Sequence, residues 1–169
     1  MLSKTIEKAL NNQINAEMYS SYLYLSMSAY FASISLSGSS SWMKMQAQEE
    51  MFHAMKMYDF VNERGGRVLL AAIDQPPAQW KSVVDVFKNV LSHEQKVTGL
   101  INGLVNMALD ERDHATNIFL QWFVSEQVEE EATAGDVLNK AKLVEKDASG
   151  LFVLDKELGQ RVFALPVKA

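Results

Sequence analysis

A chain of 169 residues with a net charge of −5 has the size of one domain and offers no basic surface for nucleic acid. Its 48% hydrophobic and 22% charged residues are the mix of an ordinary globular protein, and eight glycines with three prolines favour long helices over a strand-and-turn fold. The absence of cysteine excludes disulfide frameworks, zinc ribbons, thiol nucleophiles and cysteine-held clusters.

The chain opens as an amphipathic helix start rather than a basic leader, and no stretch approaches the roughly 18 uncharged apolar residues of a membrane span. The expectation is a cytoplasmic protein with no membrane partner. From about residue 3 to 33 a rhythm of threes and fours runs through Ile6, Leu10, Ile14, Ser21, Tyr24, Ser28 and Phe31, predicting a first helix. The Ser-rich segment 33–41 interrupts it, with Gly38 as the expected turn residue. A second helix is predicted from about Ser41 to Arg64, ended by Gly65-Gly66. Residues 67–80 lack helical periodicity and carry Pro76-Pro77. At about 3.3 Å per residue such a segment reaches roughly 50 Å. A helix of about 25 residues is only about 38 Å long. The segment can therefore run the whole length of a bundle. Third and fourth helices follow at about 81–109 and 113–139, joined by a short charged turn, and a shorter amphipathic helix at about 148–163. Two tight hairpins and one long crossover make an all-α, ferritin-like four-helix bundle with a short fifth helix, one domain over 1–169. The rival is an up-down bundle with a loose middle loop.

Each inward stripe is apolar at both ends and acidic in the middle. The first carries Leu10, Ile14, Glu17, Ser21 and Tyr24; the second Met43, Gln46, Glu50, His53, Met57 and Phe60. The third carries Phe87, Val90, Glu94, Val97, Ile101 and Leu104; the fourth Leu120, Phe123, Gln127, Glu130, Ala134 and Val137. Glu17 and Glu50 lie 33 residues apart about Ser33–Ile34, and Glu94 and Gln127 lie 33 apart about Asp110–Glu111. Both hairpins thus bring their polar residues to one depth. Unpaired buried carboxylates cost several kcal/mol each, and no Lys or Arg lies on these stripes, so bound metal is the natural counter-charge. Carboxylates with one imidazole suit iron or manganese. Glu50-Met-Phe-His53 is the Glu-x-x-His element of di-iron carboxylate bundles, with Glu50 placed to bridge. His93 and His114 lack such a setting and read as surface residues, and the nine methionines read as core filler.

At this point the residues resemble bacterial and archaeal non-haem ferritins over nearly the whole chain. The carriers are Gln13-Ile-Asn-Ala-Glu17 with Tyr19–Tyr24, Ala47-Gln-Glu-Glu-Met-Phe-His53, His93-Glu94, Phe119–Glu131 and Leu154-Asp-Lys-Glu-Leu158. The resemblance implies a homo-oligomeric shell of 24 subunits that oxidises Fe(II) with O2 or peroxide and stores Fe(III) as a mineral. By position, one iron would be held by Glu17, Glu50 and His53, and a second between Glu50, Glu94 and Glu130 with Gln127 close by. A third, weaker site would use Glu49, Glu126, Glu129 and Glu130, and Tyr24 would supply or relay an electron. Bacterioferritins repeat Glu-x-x-His on the fourth helix, where this chain has Gln127-Val-Glu-Glu130. That favours the non-haem branch, so no haem is expected, although Met51 resembles the haem-ligating residue of bacterioferritins. Rubrerythrins need a four-cysteine iron site that this chain cannot build. A stand-alone di-iron oxidase without storage is the other alternative. The serines of 33–41 are expected to weaken or alter assembly if they face a neighbouring subunit.

Overall fold

The computed structural model describes residues 2–164 and consists of five helices. They are α1 (Lys4–Ser33), α2 (Ser37–Glu63), α3 (Val83–Asp110), α4 (His114–Leu143) and α5 (Ala148–Leu158). Met1 and residues 165–169, the ends of the expected domain, lie outside the described residues.

Four helices start on their own side-chain caps. Ser3, Ser82, Asp113 and Asp147 accept from the backbone N–H groups of Ile6, Asp85, Thr116 and Ser149. Helix α2 has no such cap at Leu36. Instead the Asp155 carboxylate of α5 accepts from the N–H groups of Gly38 (3.0 Å) and Ser39 (2.7 Å) and from the Ser39 hydroxyl (2.7 Å). A negative charge thereby sits on the positive end of the α2 dipole, supplied from 116 residues away.

This corrects the expected start of α2, which lies at Ser37 rather than Ser41. The turn is Ile34–Leu36, where Ser35 takes a φ of 63°. Gly38 lies inside the first turn of α2, and it is needed for closeness: a Cβ there would meet the Asp155 carbonyl oxygen at 1.7 Å. The Ser-rich segment divides in two. Ser39 and Ser40 are buried within the subunit, with Ser28 bonded to Ser40, while Ser33, Ser35 and Ser37 are exposed. At the other end α2 stops as expected, with Gly65 at φ +72°. Helix α5 ends at Leu158, five residues before the expected Phe163, because the chain turns at Gly159 to follow α2.

The crossover is pinned, which rules out the loose-loop alternative. Asn11 donates to the Arg67 carbonyl and accepts from the Leu69 N–H, Asn15 donates to the Ala72 carbonyl, and Ser26 donates to the Pro77 carbonyl. Irregular backbone thus finds its partners on the outer face of α1.

Two apolar clusters fill the bundle. One gathers Tyr24, Met27, Phe31, Trp42, Met43, Phe87 and Val137; the other Leu10, Ile14, Met57, Ile101, Leu120 and Phe123. At about 1.5–3 kcal/mol per large side chain, their burial dominates stability. Every stripe residue predicted to face inward is buried except Phe60, which is half-buried and stacks on Phe119 at 3.8 Å. Glu17, Glu50, His53, Glu94, Gln127 and Glu130 are likewise buried, on stripes whose apolar ends belong to the two clusters.

Candidate metal centre

Each helix of the bundle presents its central polar residues at one level. Glu17, Glu50 and His53 bring ligand atoms within 4.8 Å of one another, as do Glu50, Glu94 and Glu130. Glu50 belongs to both groups. The i, i+3 spacing places His53 Nδ1 3.5 Å from Glu50 Oε2. The rings of Trp122 and Phe123 meet the imidazole edge-on, at centroid distances of 5.4 and 5.9 Å.

Three glutamines hold the carboxylates in place. Gln13 donates to Glu17 Oε1 at 2.8 Å, one helical turn away. Gln46 donates to Glu130 Oε2 at 2.6 Å and to Glu50 Oε1 at 3.3 Å, tying α2 to α4. Gln127 donates to the Glu94 carbonyl and carboxylate at 3.2 and 3.4 Å. A neutral amide fixes a carboxylate without adding a positive charge that would compete with a metal. The sequence placed Gln46 and Gln127 on the inward stripes and Gln13 only in the motif that carries the resemblance, without a role; its i, i+4 spacing to Glu17 was the available signal.

The site is short of positive charge. Burial pushes Glu17 up to about 8, helped by the charge of Glu50. Burial, then Glu94 and Glu49, pushes Glu130 up to about 8 as well. Glu50 is raised well above its usual range by burial and by Glu94 and Glu130, and Glu94 is raised chiefly by burial. Among the described residues, Oε2 of Glu17 is buried without any hydrogen-bond partner. An orphaned carboxylate oxygen facing an imidazole and a shared carboxylate is what a metal ion would satisfy. The donor set, hard oxygens with one nitrogen, fits iron or manganese.

A third group lies further out: Glu49, His53 and Glu126, with the two acids half-buried. Glu129 is exposed, near enough for its charge to help raise Glu126 after burial has done most of it. Tyr24 is fully buried and donates its hydroxyl to Glu94. Burial and the Glu94 charge raise that phenol well above its usual range, so it stays protonated.

His93 is a correction. It is half-buried, its Nε2 lies 2.8 Å from the Ser20 hydroxyl, and its ring meets Tyr24 edge-on at 6.1 Å. Burial and the charge of Lys96 push it down to about 4, so it is neutral. It backs the Tyr24 ring rather than facing solvent, whereas His114 is exposed as expected. Arg161 was not foreseen either. Its guanidinium reaches Glu49 at 2.6 Å and also bonds Gln46.

With this geometry in hand, the likeness to known proteins has a physical counterpart. Residues 7–144 match the ferritin-like domain family. The chain is 47% identical over 161 residues to the bacterial non-heme ferritin of Bacteroides fragilis, covering 95% of this chain and all of that protein. It is 44% identical over 156 residues to the bacterial non-heme ferritin of Campylobacter jejuni, covering 92% and 93% of the two chains. Among solved structures, an open pore ferritin from the archaeon Archaeoglobus fulgidus superposes with a TM-score of 0.95 at 55% identity, over 96% of this chain and 100% of that one. A closed form of the same ferritin, engineered by site-directed mutagenesis, reaches 0.96 over 97% of this chain. The chain belongs to the ferritin family, and that membership points to iron storage as its class of function.

Proposed function

We propose that this chain, as one ferritin-like domain over 1–169, is a cytoplasmic iron-storage subunit. It oxidises Fe(II) at an intrasubunit pair of sites and deposits Fe(III) inside a shell of 24 copies. The observation that carries this reading is Glu50 shared between two buried triads, Glu17–Glu50–His53 and Glu50–Glu94–Glu130. Iron is the substrate. Glu17 and His53 hold the first ion, Glu94 and Glu130 the second, and Glu50 bridges them, with Gln127 steadying Glu94. Adjacent ions each lose one electron, and O2 or peroxide takes both. Carboxylates stabilise Fe(III) over Fe(II), which favours the oxidised product. Tyr24, bonded to Glu94, is placed to relay an electron. Glu49 and Glu126, with Glu129 and Glu130 beside them, form the weaker outer site through which iron moves on.

Self-assembly is supported by exposed apolar side chains: Tyr22 and Leu25 on α1, Leu69 and Leu70 on the crossover, Phe152 and Val153 on α5. No described helix is long and apolar enough to cross a membrane. Met51 is 41% exposed, which keeps the haem-binding alternative open to test. A Soret band after incubation with haemin, abolished by Met51→Leu, would favour it.

The deciding experiment is aerobic Fe(II) loading, desalting and iron determination per chain. Retention far beyond what the three ligand groups can hold supports storage. Retention of only two or three ions would move the reading to a stand-alone oxidase.

A further inference from the structure

The segment after α5 returns along α2 towards the outer acidic group. Its path is set by the α5 dock, where Gly159 lies against Gly38 and Asp155 caps α2. From there the Arg161 guanidinium lies 4.5 Å from the Trp42 ring centroid, bonds Gln46 Oε1, and pairs with Glu49 Oε2 at 2.6 Å. Phe163 then packs near Phe52, one turn further along α2.

Three features make Arg161 more than a surface ion pair. Its side chain is only 21% exposed and that of Glu49 19%, so solvent screens the pair less than a typical surface bridge. A guanidinium only donates, so it decides which way the Gln46 amide points: the oxygen towards Arg161 and the NH2 towards Glu130 and Glu50. And Glu49 is the carboxylate that groups with His53 and Glu126. One positive charge of this chain therefore rests on the group where a third metal ion would bind.

Resting on the metal-centre reading above, we infer that Arg161 is a positioning residue that acts as a resident cation of the outer site. It holds Glu49 against the C-terminal segment, so that a third metal ion binds there only by displacing the guanidinium. The inner pair is filled first because, among the described residues, no Lys or Arg is paired with its carboxylates. The outer site opens when the tail lifts from α2.

The test is calorimetric titration of assembled, metal-free protein with Zn2+, which binds without redox turnover. Wild type is expected to show two tight sites and one weak site per chain. Arg161→Gln is expected to tighten the third site about tenfold, the scale of removing one competing charge at a partly exposed position. Arg161→Lys retains the charge and is expected to leave the third site weak, while Glu49→Gln removes it and spares the inner pair. A purely structural role for Arg161 would lower affinities, not raise one, and thermal melts of both Arg161 variants check that they fold. Third-site affinity in Arg161→Gln within twofold of wild type would overturn the inference, as would equal tightening in Arg161→Lys. Absence of any tight Zn2+ site in wild type would instead overturn the metal-centre reading on which it rests.

Discussion

Glu17 holds its two carboxylate oxygens in different states, Oε1 bonded to Gln13 and Oε2 buried without a partner among the described residues. Oε2 is the atom whose satisfaction requires something the described residues do not supply. Glu17→Gln replaces an acid that burial has already made hard to ionise with a neutral group of the same shape. The metal-free variant is expected to melt at or above the wild-type temperature, whereas the rise in melting temperature on adding Zn2+ should shrink, because a ligand bound only by the folded state stabilises it in proportion to its affinity. Paired thermal melts with and without Zn2+ measure both, and an undiminished rise would remove Glu17 from the ligand set. Glu50→Ala is the harsher change, since Glu50 serves both triads. Its Fe(II) oxidation rate, followed by stopped-flow absorbance, is expected to fall by roughly 100-fold or more, beyond the 10–100-fold typical of losing a merely supporting group. Helix content should stay intact, and a wild-type rate would refute the assignment.

At the scale of elements, α5 is attached to the bundle by one close approach and one carboxylate. Gly38→Ala forces the Asp155 backbone away, since a Cβ would stand 1.7 Å from its oxygen, and should cost about 1–3 kcal/mol as an overpacked contact does. Asp155→Ala removes the cap alone and should cost about 1 kcal/mol. Both are measured by denaturant unfolding, and a Gly38→Ala midpoint equal to wild type would mean that α5 is not docked there. The same dock marks where the sequence stops being legible. The four inward stripes, the matched depth of Glu17 with Glu50 and of Glu94 with Gln127, and the crossover all follow from helical periodicity and chain length, which act within a hairpin. Gly38 was misread as a turn because glycine favours turns locally, while its reason for being glycine lies 117 residues away in Asp155. His93 looked like a surface residue because its partner, Ser20, sits 73 residues earlier on another helix. Arg161 escaped notice because the path of the tail is set by α5 packing on α2, and no periodicity encodes it.

For the whole molecule, the acidic layer makes stability and metal binding answer to pH in opposite senses. In the unfolded chain a glutamate titrates near 4.3; in the metal-free fold burial pushes Glu17 and Glu130 up to about 8, with Glu50 and Glu94 raised too. The fold thus binds more protons than the unfolded chain between those values, and its stability must fall as pH rises through that window. Asp113 works the other way. Burial alone would raise it, but hydrogen bonds from Thr116 and the Arg64 guanidinium hold it below the usual range, so its contribution is lost only at acid pH. A metal ion needs the same glutamates deprotonated, so its affinity rises over the window in which the metal-free protein weakens, and binding releases protons. Melting temperatures taken from about pH 5 to about pH 9 should therefore fall with chelator present and diverge upward from that line with Zn2+. A metal-free profile that stays flat across the range would mean that the four carboxylates are not buried together, and the bundle would then need no metal at its centre.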